Sequence, residues 1–306
     1  MSIRLELPKD QDVHSLADWV ELNALLEEDG NTSLQELVGL LSNGAENDIE
    51  EDQIADSPSE AMSADVMNEL VRRSVACGDS YPFEVESSKI TLKSDWKDYV
   101  SYVFPLLISY LGVTCDLFPE QYQYFGKYFE ELGGNALDNY LSNTLYPASI
   151  KVFGFPRTDS SRFSKAVQEL CDTIPGFRAI HLDLAAVQMD GGLDVIAWKQ
   201  FPDDLSGSMV FLAQCAMGAN WREKLHEARK IQDYITMPGD VLTGVFIPHT
   251  VDVRTGAATD QWEIDTNKAG RIFERCRTAY LSKNWSHEKA EALCGTTLAN
   301  LSALMG

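Results

Sequence analysis

Two residues on short apolar stretches have the type and setting for metal chemistry. Asp194 follows Asp190-Gly191-Gly192-Leu193 and opens the run Val195-Ile196-Ala197-Trp198, while Gln214 stands near the end of Met209–Ala216. A glycine turn feeding a β-branched run places the first polar residue at a strand end. Side chains alternate along a strand, so Gln214 can face that same end while its apolar neighbours serve other environments. Oxygen donors on adjoining strands suit a hard cation, Mg²⁺ or Mn²⁺. Such an ion neutralises charge developing on a phosphodiester and lowers the pKa of the attacking water. Glu169, on the amphipathic stretch 161–174, is the candidate third ligand.

The elements that must position these residues follow from the pattern around them. Phe163, Val167, Leu170 and Cys171 share one helical face, and Pro175-Gly176 ends that helix. Alternating Ile180, Leu182 and Leu184 predict a strand over 177–187. The Asp194 strand, a loop over 199–208 and the Gln214 strand come next. Asn220 then caps a helix over 221–232.

Helix, strand, Gly-Gly-x-Asp strand, loop, Gln strand, helix: this order resembles the core of the PD-(D/E)XK restriction-endonuclease-like superfamily. Within it the likeness is to methyl-directed restriction enzymes, and it covers residues 160–235. The resemblance implies an α/β fold with a restriction-endonuclease-like core behind a mainly helical N-terminal region. It also implies Mg²⁺-dependent hydrolysis of DNA phosphodiester bonds. The stretch Gln214-Cys215-Ala216-x-Gly218-x-Asn220-Trp221 is similar to bacterial phage-defence nuclease-like proteins, which implies antiviral defence, with DNA and an ATPase or other defence subunit as partners. A homo-oligomer is compatible with all of this.

One departure matters. The lysine expected two residues after Gln214 is replaced by Ala216. Lys224 is the first candidate to supply that ammonium from the following helix, ahead of Arg222 and Lys199; with none in reach, the domain is an inactive scaffold. Arg222, Arg229 and Lys230 on the same helix, with Arg275 on a later one, are candidate phosphate contacts. Pairing with Glu223, Glu227 and Glu274 accounts for those charges equally well. Gln214-Cys215-Ala216-Met217-Gly218 offers a competing chemistry, a cysteine nucleophile with His181 as base.

Charge divides the chain. Residues 1–150 carry 8 Lys+Arg against 28 Asp+Glu, whereas residues 151–306 carry 17 against 19, so nearly all of the net −22 lies in the first half. The second half is therefore the part compatible with nucleic acid. The six cysteines fall in no zinc or disulfide spacing. No signal-peptide core opens the sequence, and the apolar run 99–108 is too short to span a bilayer, so a cytoplasmic protein is expected. Four segments result: helices over 1–43, with a Ser33-x-x-Glu36 capping box; an acidic linker over 44–63; an acidic, mainly helical segment over 64–155; and the α/β domain over 156–306.

Overall fold

The computed structural model describes residues 5–45, 58–112, 121–143, 145–154, 162–181, 183, 191–251 and 256–305. The chain divides into two units, one of residues 1–111 with 283–306 and one of 112–282. The boundary differs from the one read from composition. Residues 112–155 belong with the α/β unit, and the C-terminal helix Glu288–Met305 belongs with the acidic one.

In the first unit, α1 (Val13–Leu26) starts at an Asp12 cap whose carboxylate accepts from the N–H groups of His14 and Ser15. Ser33-Asn31 form β1 (Asn31–Ser33), antiparallel to β3 (Lys89–Leu92), which also pairs with β2 (Phe83–Val85). The capping box forms at the start of α2 (Leu34–Ala45): Ser33 Oγ accepts from Gln35 N, and Glu36 reaches back to Ser33 N. Helix α3 (Pro58–Cys77) takes up residues 58–63 of the expected linker, and residues 46–57 of that linker lie outside the described residues. The apolar run around Pro105 is helix α4 (Val100–Leu111), buried along most of its length. Among the described residues no helix is long and apolar enough to cross a membrane.

Glu21, on α1 of the acidic unit, is fully buried. Its carboxylate accepts from Arg73 at 2.8 Å, Tyr81 at 2.7 Å and Tyr102 at 2.8 Å. Arg73 is itself fully buried, and also donates to Asp18 and Glu69. A buried carboxylate survives desolvation only when paired and hydrogen-bonded in this way.

The second unit is a three-layer α/β structure built on a mixed five-stranded sheet in the order β10-β9-β7-β6-β4. Strand β4 (Ser149–Val152) is antiparallel to β6 (Val195–Lys199), and β6 is antiparallel to β7 (Met209–Cys215). Strands β9 (Val241–Phe246) and β10 (Arg271–Phe273) continue parallel to β7. Helix α5 (Tyr122–Leu141) lies against one face. Its Gly133 approaches so closely that an added Cβ would stand 3.2 Å from Cys215 Sγ. On the other face α6 (Phe163–Thr173) contributes Phe163, Val167 and Leu170 to a core with Ile196, Trp198, Val210 and Leu212. Helix α7 (Gly256–Ala269) adds Ala269 to a second apolar cluster on Val245 and Ala216, and α8 (Arg275–Leu281) follows β10.

Two sequence expectations change here. The strand read at 177–187 is only β5 (Arg178–Ala179), paired with β8 (Ile235–Thr236) apart from the main sheet; residues 182 and 184–187 of that stretch lie outside the described residues. The strand beside β6 is β4 instead, preceded by α5. The helix expected over 221–232 is two short 3₁₀ segments, Trp221–Lys224 and Glu227–Asp233.

Candidate functional site

Asp194 and Gln214 meet at one end of the β6–β7 ladder. Val195 pairs with Ala213, which sets Asp194 and Gln214 opposite each other one residue further on. The Gly-Gly turn before them is sterically required. Gly191 and Gly192 have φ of 62° and 77°, and a Cβ on Gly192 would stand 2.5 Å from the carbonyl oxygen of Glu227. Asp194 is buried at 4% exposure, its N–H donating to Ala213 O and its O accepting from Phe153 N. Its Oδ2 accepts from Cys215 N at 2.7 Å. Gln214 is 8% exposed, and its Oε1 is buried with no hydrogen-bond partner. An orphaned carbonyl oxygen of this kind costs about 1–3 kcal/mol and calls for a ligand or a function.

A third oxygen group comes from α5. The carboxylate of Glu130 lies directly over the Cα of Gly154, so close that a Cβ there would overlap it, and Gly154 N in turn donates to Asp194 O at 3.2 Å. Glu130 is not among the residues that the sequence pattern alone marks for the site. The available signal was its place one turn before Gly133-Gly134, the pair that lets α5 lie close on the sheet.

Comparison of the chain with family models, with curated proteins and with solved structures finds no match.

The remaining expected site residues scatter. Glu169 is half-exposed and paired with Lys151 at 3.3 Å and Lys165 at 3.6 Å on α6. Among the described residues no group of three or more His, Cys, Asp or Glu side chains forms a metal cage, so any cation here would rely on the Gln214 amide as well as on carboxylates. Lys224 is half-buried on its 3₁₀ turn, between Trp221 and Leu225, which both pack with Ala216. Arg222 is exposed, its Nε on the buried Asp265 at 2.8 Å and its guanidinium 4.4 Å from the Trp221 ring centre. Lys230 pairs with Glu227, and Arg229 is exposed with a 3.4 Å contact to Thr243 Oγ1. Arg275 has no face for phosphate: it is fully buried and donates to Pro248 O at 2.8 Å.

The cysteine alternative is corrected by its surroundings. Burial pushes the Cys215 thiol well above its usual range, and the charges of Asp194 and Glu130 push it further. A thiol held protonated beside two carboxylates is a poor nucleophile. His181 is exposed, with a left-handed backbone at φ 52°.

Among these residues the oxygen donors are the Asp194 and Glu130 carboxylates and the Gln214 amide. Carboxylate and amide oxygens fit a hard divalent cation in kind.

Proposed function

We propose that the unit of residues 112–282 is a divalent-cation-dependent phosphodiesterase of the restriction-endonuclease-like type, acting on DNA. One observation carries the reading: the unpartnered, buried Oε1 of Gln214 lies across the ladder from Asp194, with Glu130 beside Gly154. The order of elements supports it, since the Asp strand runs against its neighbours and is followed by the Gln strand and two parallel strands. Asp194, Gln214 and Glu130 would hold Mg²⁺ or Mn²⁺, which when bound supplies an acidified water and charge neutralisation at phosphate. The backbone N–H of Cys215 orients the Asp194 carboxylate. Lys224 is the residue assigned to stabilise the phosphate as it gains charge.

A second reading rests on Ala216. It is fully buried among Trp221, Leu225, Val245, Ile247, Ala269 and Ile272, so the position of the expected lysine is part of the core. A cation-binding unit that organises a partner without cutting is consistent with that. Mg²⁺- and Mn²⁺-dependent cleavage of circular and linear DNA by the wild type and by Asp194→Asn separates the two. Cleavage lost in the variant supports the enzyme. Cation binding lost without any wild-type cleavage supports the scaffold. Neither cation binding nor cleavage refutes both.

A further inference from the structure

At the opposite end of β6 and β7 from Asp194, a cavity of about 400 Å³ opens beside the Lys199–Met209 pair. Its size falls within the roughly 300–1,000 Å³ of small-molecule sites. Two rings stand at its mouth. Phe201 is 57% exposed and Tyr146 40%, set edge-to-face with centroids 6.4 Å apart. Large rings left in water beside a cavity are unusual for a surface that only covers a core.

The polar groups of the cavity differ in kind. Lys199 Nζ donates to Leu141 O at 2.9 Å and lies 5.9 Å from the Tyr146 ring centre, which leaves it ammonium protons to give. Ser208 is 7% exposed, and its Oγ is buried with no hydrogen-bond partner. Asp240, on the turn into β9, is an exposed acceptor. Gly239 adds exposed backbone to the lining, with nothing within 4 Å of the position a Cβ would take.

A ligand matching this set has a flat ring for Phe201 and Tyr146 and N–H groups for Asp240. It also has a hydrogen-bonding edge for Ser208 and an anion for Lys199. We propose that the cavity binds an amino-bearing nucleobase with its phosphate, from a free nucleotide or from a single strand. An anion alone would find one lysine in a mainly apolar lining, and an apolar chain would leave Ser208 and Asp240 unanswered. The site is separate from the Asp194 end and does not depend on the phosphodiesterase reading.

The test is calorimetric titration, with EDTA present so that no cation site contributes. The probes are deoxyadenosine 5′-monophosphate, its analogue lacking the 6-amino group, and a short deoxyadenosine oligonucleotide. Wild type is expected to bind the mononucleotide, or the oligonucleotide alone if the source is a strand, and to prefer the amino-bearing base. Phe201→Ala should weaken binding about tenfold or more, the scale of a lost base–aromatic stack. Asp240→Ala, which removes the acceptor altogether, should erase the preference for the amino-bearing base while binding persists. Both side chains are exposed, and unchanged circular dichroism would show that the variants fold. No binding of any probe overturns the proposal, as does binding that neither substitution weakens or alters.

Discussion

The carboxylate of Asp194 accepts a 2.7 Å hydrogen bond from the backbone N–H of Cys215, the residue that follows Gln214. This bond extends the β6–β7 ladder by a side chain. It fixes one carboxylate oxygen on the strand that carries the orphaned amide. Asparagine can keep the same acceptor. Asp194→Asn is therefore expected to stay folded, at a cost of about 1–3 kcal/mol for the amide group it buries. It should lose Mg²⁺-induced thermal stabilisation and cleavage. Calorimetric melting with and without Mg²⁺, alongside a plasmid cleavage assay, checks both.

Gly154 gives a way to move one oxygen donor without touching it. A methyl group there would overlap the Glu130 carboxylate, the far end of a flexible side chain. Gly154→Ala should therefore displace Glu130 at little cost to the melting temperature while weakening Mn²⁺ binding about tenfold or more, the scale seen when groups supporting a metal site are disturbed. Isothermal titration with Mn²⁺ measures it, and an unchanged affinity would remove Glu130 from the site.

Restoring a lysine at position 216 should fail. Ala216 has no exposed surface and lies in an apolar cluster, so Ala216→Lys would bury an ammonium or push it through the packing. The expected cost is about 3 kcal/mol or more, as for other uncompensated charges in a core, read as a lowered denaturation midpoint. Lys224→Ala, on a half-buried side chain, should leave stability nearly intact while cutting cleavage by ~10²-fold, the loss typical of one transition-state donor. A Lys224→Ala enzyme that cuts at the wild-type rate would exclude that residue from the chemistry.

The acidic unit should be acid-labile through Glu69. Burial raises the Glu69 carboxyl, but hydrogen bonds from Arg72 and His14 and the charges of Arg73 and Arg72 outweigh it and hold the group well below its usual range. A carboxyl depressed by folding contributes fully above its ordinary value of about 4.5, and that stability drains away as pH falls from there toward the folded pKa. Melting temperature should thus fall steeply below about pH 4.5, and Glu69→Gln should flatten that slope. Arg73→Met should cost about 3–5 kcal/mol at neutral pH, because it strands Asp18, Glu21 and Glu69 beside a missing cation. Equilibrium urea unfolding tests this.

Local chemistry in the sequence was enough to determine several features. The Gly191-Gly192 turn, the Asp194 strand, the Gln214 strand and the Ser33-x-x-Glu36 cap all follow from neighbouring residues, because positive φ, alternation and capping are short-range properties. Tertiary structure alone decided which strand flanks β6. Residues 149–152 and 178–179 are both short and carry little pattern, and only long-range pairing selects the former. It also decided which acids matter. Glu130 and Glu169 look alike on amphipathic helices. The close approach permitted by Gly133 and Gly154 brings Glu130 over Gly154, which bonds the Asp194 backbone, whereas Lys151 and Lys165 hold Glu169 on the surface of α6. Burial has the same character: Arg275, a candidate phosphate contact from sequence, is buried, as are Glu21 and Arg73, because packing surrounds them with partners distant in the chain that no local window shows.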